Sequence, residues 1–188
     1  MDWNKKTDQY YIRFAHESDI EPMYQLLSDP EVVRYHPKNA MVVEAQAMDE
    51  ARRMVMQFEA KEAAFWLIEE KVTGDVIGRI ALKHFNWVQG SAELQLDLKP
   101  AARNRDNVAD ILFPVLCLAF EELALHRIEW LLLKEDPVMP DMLADIGFHH
   151  DGQLPSFFEF EGQWIDYQVY SLLQNDKSWQ SALLADKL

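Results

Sequence analysis

The amino-acid sequence predicts a single α/β domain with a central mixed sheet flanked by helices. Polarity alternates cleanly from Ser91 to Leu98, placing Glu93, Gln95 and Asp97 on one face and Leu94, Leu96 and Leu98 on the other. Strand-like pairs separated by turn residues read as hairpins. Apolar residues at helical spacing fill the intervals. A chain of 188 residues suits one domain with a substantial core, so residues 1–188 are assigned to a single unit.

The elements follow in order. Tyr10 to Phe14 alternates as an opening strand. Ser18 is placed to cap a helix carrying Ile20, Met23, Tyr24, Leu26 and Leu27, which Asp29-Pro30 ends. A second helix is predicted over Val42 to Phe58. The segment AAFWLIEE, the turn Thr73-Gly74-Asp75 and VIGRIALKHF form a hairpin. Pro100 closes the strand that follows. Arg105 to Leu123 is the longest helical candidate, with a kink or a late start expected at Pro114. RIEWLLL reads as a buried strand, and Met139 to Ile146 as a short helix ended by Gly147. From His149 the chain runs through Glu161-Gly162 to Leu173 as a second hairpin. Its aromatic residues Phe157, Phe158, Phe160, Trp164, Tyr167 and Tyr170 are expected mostly in the core. Residues 175–188 read as a terminal helix or a frayed tail.

Composition narrows the function. The chain is 49% hydrophobic and 12% aromatic, which fits a folded domain. Its formal charge of -14, without any Lys/Arg-rich tract, argues against nucleic acid or an anionic membrane as partner and favours a cationic or amine partner. No leader or spanning run is read in the sequence, so a cytoplasmic location is expected, as monomer or homodimer. Cys117, within ILFPVLCLAF, reads as a small buried side chain rather than a nucleophile. His149-His150 lacks accompanying ligands at recognisable spacing, so no metal is expected.

The strings Ile12-Arg13-Phe14, Ser18-Asp19, Asp29-Pro30-Glu31-Val32, Arg34-Tyr35, Gly74, Ile77-Gly78, Phe120, Arg127-Ile128, Ile146-Gly147-Phe148, Asp151-Gly152, Asp166 and Tyr170 occur in a telling order. Together they resemble the GCN5-related N-acetyltransferase (GNAT) superfamily, in particular the branch that acetylates N-terminal amines of ribosomal proteins. The resemblance implies a splayed pair of parallel strands, Ala92 to Leu98 and Arg127 to Leu133, with acetyl-CoA beside them. It implies cofactor contacts at Leu96 and Leu98, where a main-chain amide would polarise the thioester, and at the start of the next helix.

The family's diphosphate loop carries a basic residue or glutamine, two variable residues, glycine, one variable residue, then glycine or alanine. It falls on Arg103, Asn104, Arg105, Asp106, Asn107 and Val108, and only Arg103 fits. Weak or altered acetyl-CoA binding is therefore expected. Asp106 is expected to cap the helix, unless it turns outward or pairs with Arg103 or Arg105. Asp136 and Met139 stand where relatives carry asparagine and a small hydroxyl residue, and the family's tyrosine acid falls near Leu143 and Ala144.

The resemblance places Glu93 as the general base, and an ordinary polar residue facing the groove is the competing reading. Tyr35, His36 and His84 are candidates for the acceptor side, or packing and surface residues. The function implied is an acyl-CoA-dependent N-acyltransferase acting on a primary amine of a small molecule or peptide N-terminus. The alternatives are a repurposed binding domain and a transferase using another donor.

Overall fold

The computed structural model describes residues 1–133, 136–176, 179 and 181. Among these, β1 (Lys5–Lys6), β2 (Tyr10–Phe14), β3 (Ala64–Glu70), β4 (Val76–Asn86), β5 (Ser91–Leu98), β6 (Arg127–Leu133), β7 (His149–Phe160) and β8 (Gln163–Leu173) form one sheet, ordered β1-β2-β3-β4-β5-β6-β8-β7. Neighbours are antiparallel except β5 and β6, which run parallel. The helices are α1 (Ile20–Leu27), α2 (Pro30–Val33), α3 (Glu44–Glu59), α4 (Arg105–Cys117) and α5 (Met139–Ile146).

Both faces of the central strands are buried, because helices cover each. On β3, Trp66 and Ile68 join the larger core with Ile111, Leu112 and Val115 of α4. Phe65 and Leu67, pointing the other way, pack with Met23 and Leu26 of α1 and Met54 of α3. Gly78 on β4 admits no larger residue, since a Cβ there would lie 2.4 Å from Leu98 Cδ2 and 2.6 Å from the Asp97 carbonyl oxygen. β4 can thus lie tight against the far end of β5.

Several local expectations are revised. Asp19, not Ser18, stands at the start of α1, and its carboxylate binds Arg13 and the His16 N–H rather than the helix. Asp29-Pro30 also opens α2, with the Asp29 side chain accepting from Glu31 N–H at 2.9 Å. Pro114 neither delays nor ends its helix. α4 begins at Arg105 and passes through Pro114 into a π-helical turn at Leu118–Glu122. Ile111, Leu112, Val115 and Leu116 are all fully buried there, and their packing outweighs the one donor that proline lacks. Cys117 is only partly buried, and burial raises its thiol pKa.

Phe157, Phe158 and Trp164 are exposed, contrary to the core expectation, whereas Tyr167 and Tyr170 are buried. The register supplies the reason. β8 pairs with β6 only as far as Tyr167 opposite Leu133, so the β7–β8 tip overhangs the sheet. Glu161 and Gly162 turn that tip with φ of 52° and 79°. The predicted terminal helix lies mostly outside the described residues.

Candidate active site

β5 and β6 pair only at Ser91–Arg127, Ala92–Ile128 and Glu93–Glu129. Beyond Glu93 they part, as the alternation on β5 and the buried run on β6 permit. Leu96 and Leu98 of β5, with Trp130 and Leu132 of β6, line the opening, which narrows to a cavity of about 20 Å³.

Arg103 and Asp136 close that opening. Arg103 leaves the end of β5, Asp136 leaves the end of β6, and their side chains form an ion pair across the splay. The Arg103 guanidinium also lies 4.4 Å from the centroid of the Tyr35 ring. Asp136 is 3% exposed and accepts from the Val138 and Met139 N–H groups at 3.2 and 3.1 Å, so it also holds the start of α5. Tyr35 thus lines this narrow opening beside Arg103.

The loop residues are arranged differently from the expectation. Asn104 caps α4, its side chain accepting from Asn107 N–H at 3.1 Å. Asp106 is 82% exposed at its side chain and stands 3.6 Å from Arg105, while Arg105 also approaches Asp145 at 3.4 Å. The asparagine takes the cap because its extended backbone turns its side chain towards the helix amides, whereas Asp106 already lies inside the first turn. Val108 is fully buried in the core beneath α4.

Glu93 faces a second space of about 270 Å³ on the other side of the opening. Its carboxylate is held by Lys83 Nζ at 3.1 Å and His84 Nδ1 at 3.0 Å. His84 reaches it because β4 breaks register between Lys83 and Asn86, putting His84 at φ 53°. His36, Lys38, Phe157, Phe158 and Tyr167 complete this space. The overhanging tip bounds it, and Asn39 Nδ2 donates to Glu161 at 3.1 Å to tie the tip to the loop before α3. Burial, reinforced by Glu93, pushes the Tyr167 hydroxyl up to about 12, so it stays protonated.

Behind the pocket lies a charge cluster that sequence reasoning missed. Asp97, 1% exposed, binds Arg79 at 2.7 Å, His36 Nε2 at 2.7 Å and Lys38 at 3.3 Å. Arg79 continues to Glu50 of α3 at 2.5 Å. Burial alone would raise the Asp97 pKa, but His36, Lys38 and Arg79 hold it well below the ordinary value. Burial likewise opposes Glu50, yet Arg79 and Arg53 bring it down to about 2. Burial pushes Lys38 down to about 8 against the pull of Asp97. A lone arginine inside the apolar run VIGRIALKHF was the available signal.

His149 and His150 have separate partners, Asp176 at 3.3 Å and Gln168 at 2.6 Å. Among the described residues no group of three or more His, Cys, Asp or Glu side chains could hold a metal ion, and no helix is long and apolar enough to cross a membrane.

Comparison with known proteins decides the family, because the acetyltransferase (GNAT) domain matches residues 10–149. The chain belongs to the GNAT acetyltransferases. GNAT proteins are CoA-dependent acyltransferases, and the parting of β5 from β6 follows their architecture. The uncharacterized N-acetyltransferase YoaA of Bacillus subtilis is 24% identical over 90% of this chain and 96% of its own. The spermidine N(1)-acetyltransferase of Vibrio cholerae is 21% identical over 89% and 94%. Among solved structures, the ribosomal-protein-S5-alanine acetyltransferase of Vibrio fischeri superposes with a TM-score of 0.81 at 16% identity, covering 93% of this chain and 98% of that one. At such identity the structural likeness is one of fold.

Proposed function

We propose that this GNAT protein is an acyl-CoA-dependent N-acyltransferase, acetyl being the group moved, that acts on a primary amine such as a peptide N-terminus. The observation that supports this most is the place of Glu93. It occupies the last paired position before β5 and β6 part, and its carboxylate faces the space that would take the acceptor. Relatives named for spermidine and for the S5 alanine act on amines, which accords with this reading.

In this reading Glu93 accepts a proton from the incoming ammonium, directly or through a water, and the freed lone pair attacks the thioester carbonyl. The backbone of β5 beyond Glu93, unpaired with β6, offers the donor's amide arm a strand edge. Arg103 and the N-terminus of α4 suit its phosphates. Asp106 turned outward removes the carboxylate from that face. Acetyl-CoA supplies the activated acyl group.

The residues fit the donor chemically, but the opening must widen. Arg103 must leave Asp136, which weakens binding and accounts for the altered affinity expected from the loop. Asp136→Asn keeps an acceptor for the α5 amides while removing the charge that holds Arg103. Acetyl-CoA is expected to bind that variant several-fold to about tenfold more tightly, ~1.4 kcal/mol at most, in a calorimetric titration. Unchanged or weaker binding would show that Asp136 is not what restrains Arg103.

A second reading, a GNAT domain repurposed for binding without transfer, is favoured by that same closed opening. Transfer of labelled acetyl from acetyl-CoA to a panel of peptides, amino acids and polyamines separates the two. Acetylation of any panel member supports the transferase, and none supports the repurposed domain.

A further inference from the structure

We infer that His36 is the general acid of this transfer, giving its Nδ1 proton to the departing thiolate. The inference rests on the acyltransferase reading above. Breaking a thioester leaves an electron pair on sulfur, and a positioned proton donor there speeds departure. The positions where the family's tyrosine would fall are Leu143, fully buried, and Ala144, and neither can supply a proton.

Among the described residues, three border both the narrow donor cavity and the acceptor space: His36, Trp130 and Leu131. Of these, His36 alone has a side chain of the type that serves as a general acid. It is therefore the acid placed where the two substrates must meet. Its Nε2 is fixed 2.7 Å from Asp97 Oδ1. That bond orients the ring and leaves Nδ1 as the nitrogen that can carry a proton to sulfur. Asp97 is itself immobilised by Arg79, so the acid is held by a rigid partner. His36 thus acquires a role beyond lining the acceptor.

The proton count closes. An ammonium acceptor loses two protons as its C–N bond forms and the C–S bond breaks. One leaves through Glu93 to solvent. The other, released to solvent, replaces the proton that His36 delivers to sulfur, returning the imidazolium for the next cycle. The charged groups that face His36 are Asp97 on β5, Lys38 on its own loop and Arg79 behind them, with Glu31 and the Arg103–Asp136 pair across the splay. Glu93, Lys83 and His84 stand further along the acceptor space. A general acid works only while it holds its proton, so activity should fall on the alkaline side.

The test uses two donors, acetyl-CoA and an aryl thioacetate whose thiol is far more acidic and leaves without help. With acetyl-CoA, His36→Gln should lower kcat on the order of a hundredfold, leave the amine KM nearly unchanged and abolish the alkaline limb of the kcat profile. With the aryl donor the same variant should lose only a few-fold. An equal loss with both donors, or an alkaline limb that persists in the variant, overturns the assignment. Should the variant fail to fold, the wild-type protein decides. Its alkaline limb must appear with acetyl-CoA and vanish with the aryl donor, and a limb common to both overturns the assignment. Turnover that fails these criteria removes His36 alone, whereas no turnover of any amine by the wild-type protein removes the acyltransferase reading and this inference with it.

Discussion

Replacing Asp97 with alanine is expected to destabilise the fold by about 3–5 kcal/mol. Asp97 is the anion around which Arg79, His36 and Lys38 gather, and Arg79 is nearly as buried as Asp97. Without it, Arg79 retains Glu50 alone, and a cation in the interior is left only partly compensated. Urea unfolding measures the loss. Pairing Asp97→Leu with Arg79→Met should recover part of it, because Arg79 is no longer left as a buried cation, while Lys38 and His36 still lack their anion. A single variant as stable as the parent would mean that the cluster contributes nothing.

The same cluster fixes a pH dependence. Asp97 and Glu50 both have carboxyl pKa values below their ordinary ones in the folded protein, Glu50 at about 2. A carboxylate depressed on folding adds stability that is complete above its unfolded pKa, roughly 4. That stability drains away as pH falls through the folded value. The parent protein should therefore lose stability steeply below about pH 4, and the Asp97 variant should show a shallower acid limb.

Replacing Glu93 with glutamine is expected to lower kcat by a factor on the order of 10² to 10³, while the fold and the acetyl-CoA affinity stay as they are. Glutamine preserves shape and can still accept a hydrogen bond from Lys83, but it cannot take a proton from an ammonium. The loss should shrink as pH rises towards the amine's own pKa, where the acceptor arrives already neutral. That rescue separates a base from a residue that merely shapes the pocket. A variant that turns over at the parental rate at neutral pH would return Glu93 to the role of an ordinary groove residue.

The sheet was legible because its strands obey a period of two wherever one face meets the core. Ser91 to Leu98 is the clearest instance, and its polar face proved to hold both Glu93 and Asp97. The charge cluster was not legible, since Lys38 and Asp97 lie 59 residues apart and Arg79 and Glu50 lie 29 apart. No periodicity encodes a meeting that only tertiary folding arranges. His84 turns towards Glu93 at a bulge for which Lys83-His84-Phe85 offers no local sign. The aromatic residues of the last hairpin misled because pairing propensity says nothing about where the neighbouring strand stops. Loop residues 103–108 were assigned to the right helix start, but the cap fell to Asn104, and the restraint on Arg103 comes from Asp136, which lies between β6 and α5.

The most direct test of the acyltransferase account is a calorimetric titration of the full chain with acetyl-CoA. The splay, the free edge of β5 and the outward Asp106 predict one site per chain with a Kd on the order of 0.1 mM, weakened by the Arg103–Asp136 closure. Absence of binding at millimolar acetyl-CoA, in protein shown to be folded, would contradict the account.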